Sequence, residues 1–308
     1  MDHVLLTLLA ASTVLLSLAA AGHSLIYKND SRSALVWTCL NLTCPFMILN
    51  PPLPIPSPLM NNDELRLPQQ LSQLHLSFIR ENHQSLATQA AREQWTHPQY
   101  LGRLIEGERL RRQDRCIARR LAAARFPFLK TLDQFDWTWP KKINRAQVQH
   151  LFGLGFLQEK ANITFIGGVG LGKSHLAIAL GHAACLQGHS VLFTTAVEAI
   201  NTLAAAQAQS RLKTELKKFL APTVLVCDEL GYLPIDKIGA DLLFQIISGR
   251  YEKGSTIITT NQIYKHWSRI FNNDATITSA VLDRLLHHAE TVIVEGKSYR
   301  MKDRVEEP

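Results

Sequence analysis

The sequence has no Cys-x-x-Cys pair and no Cys/His cluster with the spacing of a zinc site. Its five cysteines are isolated along 308 residues: Cys39, Cys44, Cys116, Cys185 and Cys227. An odd number of scattered cysteines argues against a disulfide framework and favours a reducing compartment, so we expect a cytoplasmic protein. Cys227 lies inside an apolar run, where a buried thiol is expected.

The sequence also lacks an acidic excess: 33 Lys and Arg stand against 26 Asp and Glu, a formal net charge of +7. The surplus is local, because residues 60–150 carry 15 basic and 9 acidic side chains, whereas residues 151–308 carry 16 and 15. A local positive excess suits a polyanionic partner, nucleic acid before a membrane. A solvated helix face is the alternative that charge alone leaves open.

Residues 167–175, GGVGLGKSH, hold four glycines in six positions, followed by a lysine and a serine. Glycine loses the most conformational freedom on folding, so such a cluster needs a backbone reason. The spacing matches the phosphate-binding P-loop, in which Lys173 reaches the outer phosphates and Ser174 binds Mg²⁺. Rather than a flexible turn, we predict a site for ATP and Mg²⁺ made of Gly167, Gly168, Val169, Gly170, Leu171, Gly172, Lys173, Ser174 and His175.

Apolar runs alternate with helical stretches in the second half of the chain. The runs occupy residues 163–166, 191–195, 224–227, 257–260 and 292–294, after a helix expected around residues 145–158. This alternation is typical of a parallel sheet wound by right-handed crossovers. We therefore predict an α/β fold.

The third apolar run lies in TVLVCDELG, residues 223–231, where two acids follow four apolar residues. A strand that ends this way downstream of a P-loop is typical of a Walker B element. Asp228 is then placed to hold Mg²⁺ across from Ser174, and Glu229 to polarise the attacking water. An Asp followed by Glu also favours hydrolysis over transfer to a small acceptor.

Three further polar residues are candidates for the same reaction. Asn261 follows the apolar run in STIITTNQ and could orient the water and the γ-phosphate, although a turn asparagine is the alternative. Arg284 and Arg300 lie downstream, and an arginine supplied by a neighbouring subunit accelerates such hydrolases by orders of magnitude. His287 and His288 are expected to be solvated, since no partner is spaced in sequence to make a metal site.

The basic region contains a helical pattern over residues 100–126, with eight arginines within 23 positions. Its approximate inward positions are Leu101, Leu104, Ile105, Leu110, Ile117 and Leu121. Arginine favours phosphate through its planar fork. The candidates for DNA binding are Arg111, Arg112, Arg115, Arg119 and Arg120.

A linker follows at residues 126–142, rich in proline and aromatic side chains. Phe135, Trp137 and Trp139 could stack on bases. We favour the alternative, in which they pack the linker onto its neighbour.

The N-terminal residues 1–59 do not resemble the rest of the chain. Residues 4–21 are uncharged and close in length to a membrane span or a long signal-peptide core, and a Pro-rich segment follows. Three interpretations of this segment are open: a membrane anchor, a signal peptide, or translated upstream sequence before a true start at Met60. We favour the start at Met60, and a signal peptide fits least because an exported ATP hydrolase would find no ATP.

By these motifs the chain resembles the IstB-like ATP-binding proteins, helper ATPases of bacterial insertion sequences. The resemblance runs from about residue 65 to 304 and is carried by GGVGLGKSHLAIALGHAA, VLVCDELGYLPID, SGRYEKGSTIITTNQ, Trp267 with its SRIF, AVLDRLLHHAETVIVEGKSYR and the Arg-rich RLRRQDRCIARRLAAARFPFLKTLDQFDW. Residues 1–59 have no counterpart in the family.

The resemblance implies a P-loop AAA+ domain, three-layered αβα with a parallel sheet, related to DnaC-type helicase loaders. It implies a basic helical domain at residues 60–140 and the ATPase domain at 141–308. It also implies ATP-dependent binding of double-stranded DNA, self-assembly, and help to a DDE-type transposase in target selection and strand transfer. Asn261 matches sensor 1; Arg284 is the candidate arginine finger and Arg300 the candidate sensor 2.

Three other functions stay open from the sequence: a DnaC-like helicase loader, a P-loop kinase, and a switch that binds ATP without hydrolysing it. The Asp228–Glu229 pair, Asn261 and the basic region argue against the kinase.

Overall fold

The computed structural model describes residues 63–300. The chain divides into two units, Met1–Pro68 and Gln69–Pro308, and of the first only residues 63–68 are described. The apolar run 4–21, the expected start at Met60, Cys39 and Cys44 lie outside the described residues. Residues 63–300 contain no helix with the length and apolar character that crossing a membrane requires.

The described chain begins with three helices: α1 (Asp63–Gln73), α2 (Ser77–Arg92) and α3 (His97–Ala124). Helix α3 begins at a capping box, in which Thr96 Oγ1 accepts from the Gln99 amide and Gln99 Oε1 accepts from the Thr96 amide. It ends at Ala124, and the C-cap residue Arg125 adopts the left-handed conformation (φ 57°). Helices α2 and α3 pack as an antiparallel hairpin, called the helical hairpin below.

A buried carboxylate joins the two helices of the hairpin. Glu108, in the middle of α3, accepts hydrogen bonds from the Phe78 and Ile79 amides at 2.8 and 3.4 Å. These amides lie in the first turn of α2, whose N-cap residue makes no side-chain cap bond. Glu108 thus caps α2 from another helix, and Gly107 leaves room for the Phe78 ring.

The expected inward face of α3 is partly wrong. Leu104 is buried, and Leu121 packs against the core. Three of the expected positions are instead exposed by 46–55%: Leu101, Ile105 and Leu110. The buried stripe in this part of α3 passes through Leu104 and Glu108. Hydrophobic periodicity assigns a glutamate such as Glu108 to the solvent side of a helix. Because Glu108 is buried, the face of α3 expected from the pattern differs from the observed one.

Five parallel strands form one sheet in the order β2-β3-β4-β1-β5. They are β1 (Asn162–Gly167), β2 (Val191–Thr195), β3 (Val224–Leu230), β4 (Ser255–Thr260) and β5 (Ala289–Val294). The associated helices are α4 (Arg145–Leu151), α5 (Lys173–Leu186), α6 (Ala196–Ala208), α7 (Leu212–Leu220), α8 (Lys237–Arg250) and α9 (Ala275–Leu286). The predicted α/β fold is confirmed.

The helix expected over residues 145–158 is shorter than the pattern indicated. Helix α4 ends at Leu151, and a 3₁₀ turn follows at Gly155–Leu157. Leu154 between them has a φ of 58°, a left-handed conformation that an α-helix cannot continue.

The two faces of the sheet bury two separate apolar clusters. Alternate residues of β3 point to opposite faces, so Val224 and Val226 join one cluster with α5, while Leu225 and Cys227 join the other with α6 and α8. Helices on both faces make three layers. Burial raises the pKa of the Cys227 thiol to about 12, as expected for a buried thiol.

Ala124 of α3 belongs to the first of these clusters. The end of α3 therefore packs with the sheet domain, and the boundary between residues 140 and 141 stays a prediction.

A buried arginine holds the sheet at the edge opposite the P-loop. Arg250 is 2% exposed, at the end of α8, and burial lowers the pKa of its guanidinium to about 10. It donates to the carbonyls that end α7 and that begin β3 and β4, so a helix C-terminus supplies part of the compensating negative potential. Its partners are Phe219, Leu220, Pro222, Thr223 and Ser255 carbonyls and Thr256 Oγ1.

Candidate nucleotide-binding site

The P-loop connects β1 to α5 and needs its glycines for two reasons. Gly170 and Gly172 have φ values of 73° and 85°, in the left-handed region that L side chains rarely adopt. A Cβ on Gly172 would also lie 2.6 Å from the Phe135 ring. The loop therefore closes tightly against the linker, with its backbone turned toward the following helix.

Lys173 begins α5 and is 8% exposed. Its Nζ donates to the Gly168 carbonyl at 2.6 Å, within the loop. Burial lowers the pKa of Lys173, the Asp228 and Glu229 carboxylates oppose that shift, and Arg300 adds to it. The lysine is thus a partly desolvated donor that an anionic phosphate would stabilise in its charged form.

The two expected Mg²⁺ ligands lie next to each other. Ser174 Oγ donates to Asp228 Oδ1 at 2.8 Å, across the gap between α5 and β3. Thr259 Oγ1, on the neighbouring strand β4, also donates to Asp228 Oδ1. A hydroxyl and a carboxylate are the hard oxygen donors that Mg²⁺ prefers, so the donor set fits that ion.

Glu229 lies at an irregularity in the sheet. Strands β3 and β4 pair Cys227 with Ile258 and then Leu230 with Thr260, so Asp228 and Glu229 together face the single residue Thr259. Such a bulge changes the direction of side chains along a strand. Glu229 takes a φ of 60°, which costs about 1–2 kcal/mol for a residue with a Cβ. Its side chain is exposed and lines the cleft.

Asn261 follows β4 and lines the same cleft. Its Oδ1 atom is buried, and it has no hydrogen-bond partner among the described residues. A buried acceptor without a partner is costly, so this atom is suited to receive a hydrogen from a bound water.

The cleft has a volume of about 300 Å³. The P-loop and the ends of β3 and β4 form one side. The linker forms the other, and it was not assigned to the site from sequence. Its lining residues are Phe128, Lys130, Gln134, Phe135, Asp136, Trp139 and Pro140.

The linker is fixed to the P-loop helix by His175. Its Nε2 donates to the Thr131 carbonyl at 2.8 Å. Its ring stands perpendicular to the Phe135 ring, with the two ring centroids 5.4 Å apart. Burial lowers the pKa of His175, the Thr131 carbonyl opposes that shift, and Lys130 adds to it. Phe135 is buried and contacts Trp137 edge to face. The linker aromatics thus pack against their neighbours, as we favoured.

The C-terminal end of the described chain closes the cleft beside the linker. Trp139 Nε1 donates to the Lys297 carbonyl at 2.9 Å, and the Trp139 and Tyr299 rings meet edge to face. Arg300 also lines the cleft. Arg284 does not: it donates to the Ala280 carbonyl at 2.9 Å and lies over the Phe244 ring.

The five candidate DNA-binding arginines have different surroundings. Arg111 pairs with Glu81, and Arg112 lies 3.3 Å from the buried Glu108. Arg115 donates to Ser77 across the hairpin. Arg119 contacts the Arg115 carbonyl and Cys116 Sγ on its own helix, and Arg120 approaches Gly188. The first three therefore contribute to hairpin packing as well as to charge.

His287 and His288 are exposed, as expected, but the fold brings to them a carboxylate that spacing in the sequence did not indicate. Glu252, at the end of α8, brings a carboxylate within 4.8 Å of both imidazoles. All three residues are exposed, and the Tyr251 hydroxyl already bonds His287 Nδ1 at 3.0 Å. Proximity in the fold, not in sequence, assembles this cluster.

A parallel sheet of this strand order, with a P-loop after β1 and an acidic end on β3, defines a P-loop nucleotide-binding protein of the AAA+ class. The chain belongs to the family of IstB-like ATP-binding proteins, whose family model matches residues 69–307. The predicted family and fold class are confirmed.

Two relatives illustrate the similarity. An ATP-binding protein of insertion sequence IS21 from Pseudomonas aeruginosa is 39% identical over 76% of this chain and 88% of its own length. One of insertion sequence IS5376 from Geobacillus stearothermophilus is 36% identical over 78% and 95%. Among solved structures, the DnaC helicase loader is 24% identical over 54% of this chain and 96% of that chain, with a TM-score of 0.44.

Proposed function

We propose that the protein is a cytoplasmic, DNA-binding ATPase that assists a DDE-type transposase of an insertion sequence in target selection and strand transfer. The relatives are named as ATP-binding proteins of insertion sequences, which supports the biological setting. The observation that carries the proposal is the convergence of five side chains at one edge of the sheet: Lys173, Ser174, Asp228, Glu229 and Asn261.

ATP with Mg²⁺, when bound, supplies the phosphoanhydride bond to be hydrolysed and a cation that offsets its charge. The P-loop residues 167–175 bind the phosphates through backbone amides and the N-terminus of α5. Lys173 exchanges its bond to the Gly168 carbonyl for a phosphate oxygen. Ser174 and Asp228 would hold Mg²⁺, since their oxygens already lie 2.8 Å apart.

Glu229 is the proposed general base, because its exposed carboxylate lines the cleft next to Asp228. A base in this position would take a proton from the attacking water as its oxygen bonds the γ-phosphorus and the bond from that phosphorus to the oxygen of the leaving ADP breaks. Asn261 Oδ1 accepts the second hydrogen of that water and fixes its direction. Arg300 stabilises the developing charge from the same chain.

Arg284 acts in this proposal on a neighbouring subunit. It does not line the cleft of its own chain, so it can serve as an arginine finger only across an interface. Self-assembly through the AAA+ domain is therefore part of the proposed function.

The α3 arginines are the proposed contact with double-stranded DNA. Residues 60–150 hold most of the surplus positive charge, and α3 presents it along one long helix. Contacts of this kind neutralise phosphates and do not read bases.

The test compares ATP turnover and nucleotide binding in wild type, Glu229→Gln and Lys173→Ala, each with and without duplex DNA. Glu229→Gln is expected to bind nucleotide and to hydrolyse it about 10²-fold or more slowly. Lys173→Ala is expected to lose binding, and DNA to accelerate only the wild type. Wild-type turnover in Glu229→Gln would contradict the assigned base. If the partner transposase carried out strand transfer equally well with an inactive variant of this ATPase, the helper role would be contradicted.

A further inference from the structure

Thr259 is a buried residue of β4 that no motif singled out. It is 1% exposed and pairs with Phe165 of β1 on one side. On the other side it faces the bulge formed by Asp228 and Glu229. Thr259 thus belongs to the strand that leads to Asn261, and its hydroxyl contacts the neighbouring strand that carries the two acids.

The direction of both hydrogen bonds at this hydroxyl is fixed by chemistry. The Glu229 amide can only donate, so Thr259 Oγ1 accepts from it, at 3.0 Å. The single hydroxyl proton is then available for Asp228 Oδ1, the carboxylate oxygen that also accepts from Ser174. One side chain thus contacts the backbone of Glu229 and the carboxylate of Asp228 at the same time.

These contacts matter because Glu229 adopts a left-handed backbone conformation. A residue held in such a region needs surrounding contacts that over-determine it. The amide bond to Thr259 is one such contact, and it is made by a side chain at the point where the regular pairing of β3 with β4 shifts.

We propose that Thr259 is a positioning residue for both acids: its hydroxyl orients the Asp228 carboxylate toward Mg²⁺ and holds Glu229 in the conformation from which it acts as base. The inference rests on the proposed function for the role of Glu229. Its Asp228 part depends only on nucleotide binding with Mg²⁺.

Two other threonines of β4 show what a purely structural hydroxyl does. Thr256 is 3% exposed, and its Oγ1 accepts from Arg250 Nε at 3.1 Å, away from the acids. Thr260 Oγ1 accepts from the Gln262 amide. Thr256→Val is therefore a matched control for Thr259→Val: same strand, same substitution, and a hydroxyl with no contact to Asp228 or Glu229 in the described structure.

The experiment measures thermal unfolding, the Mg²⁺ concentration that supports half-maximal binding of a fluorescent ATP analogue, and ATP turnover. In Thr259→Val the Mg²⁺ requirement is expected to rise roughly tenfold, as for other residues that orient a metal ligand. Turnover is expected to fall between about ten- and a hundredfold, as for a displaced catalytic group. Thr259→Ser, which keeps the hydroxyl, should restore both, and Thr256→Val should lower the unfolding temperature without changing either.

The inference is overturned if folded Thr259→Val keeps the wild-type Mg²⁺ requirement and turnover. It is also overturned if Thr259→Ser does not restore these two values, or if Thr256→Val changes them as much as Thr259→Val does. If Thr259→Val does not fold, Thr259→Ala carries the same expectations. Glu229→Gln in the same series separates the two proposals. If Glu229→Gln hydrolyses ATP slowly while Thr259→Val has the turnover and Mg²⁺ requirement of the wild type, only this inference is overturned. If the wild-type protein itself shows no turnover, the proposed function is overturned, and the Mg²⁺ requirement of Thr259→Val decides the role of Thr259.

Discussion

The helical hairpin and the sheet domain are stabilised by different chemistry. Of the 28 residues of α3 only Leu104, Glu108 and Ala124 are buried, and one of them is a carboxylate. Every residue of β4 is buried. The hairpin depends on Glu108 and on charged contacts near its surface, whereas the sheet depends on apolar burial with polar groups concentrated at the strand ends.

This contrast changes how the basic region should be interpreted. A high density of arginine indicates a phosphate-binding surface, yet Arg111, Arg112 and Arg115 also bond residues of the hairpin. Replacing them alters packing together with charge. A variant with glutamine at Arg111, Arg112 and Arg115 would therefore lose hairpin contacts as well as charge, so charge must be tested elsewhere on α3.

The largest expected effect breaks the sheet domain. Arg250→Met removes every hydrogen bond that the guanidinium donates to the carbonyls between α7, β3 and β4, including the buried bond to the Phe219 carbonyl. The Thr223 carbonyl keeps the bond that it accepts from the Ser255 amide. We expect the free energy of unfolding to fall by about 3 kcal/mol or more. Chemical denaturation measures it, and Arg250→Lys, which keeps a charge but not the planar fork, should recover only part of the loss. An Arg250→Met variant as stable as the wild type would show that the Arg250 hydrogen bonds contribute nothing to stability.

The next effect should be confined to the hairpin. Glu108→Ala removes the acceptor of the Phe78 and Ile79 amides, and we expect about 1–2 kcal/mol of local destabilisation, typical of a lost helix cap. Faster hydrogen exchange at these amides measures it, with ATP turnover in the absence of DNA unchanged. Glu108→Gln keeps a side-chain acceptor and is the milder control. Loss of turnover in Glu108→Ala would mean that the two regions are not independent.

The smallest expected effect concerns DNA. Arg119 and Arg120 form no ion pair with an acid within the described residues, so their replacement by glutamine removes charge with the least change in packing. Each lost phosphate contact should flatten the salt dependence of duplex binding by about 0.9 units of slope. Arg111→Gln, which leaves Glu81 behind, is the comparison. An unchanged slope in the double variant would move the DNA contact away from the end of α3.

Several structural features followed from local patterns. The apolar runs at 191–195 and 224–227 begin at the same residues as β2 and β3, because buried parallel strands require continuous apolar residues. The P-loop and the Asp228–Ser174 pair were also predicted, since the carboxyl ends of parallel strands meet at one edge. Their assignment as a catalytic site remains a prediction.

Other features could not be found this way. The side of α3 that faces α2 depends on a buried glutamate, and the linker reaches the cleft through His175 and Phe135, which only the folded chain brings to the P-loop. The many aromatic residues in 126–142 indicated that this segment packs, but they did not indicate that its packing partner is the P-loop helix.

The sequence by itself determined the family and the α/β class and predicted the residues of the phosphate loop, because each can be recognised from a motif of neighbouring residues or from the period of a single element. Tertiary structure alone decided which α3 arginines have no acidic partner among residues 63–300, which side of α3 is buried and how the backbone of Glu229 is turned. Those properties depend on pairs far apart in the chain, such as Glu108 with Phe78 and Thr259 with Glu229, whose meeting is set by packing and by one bulge in the sheet.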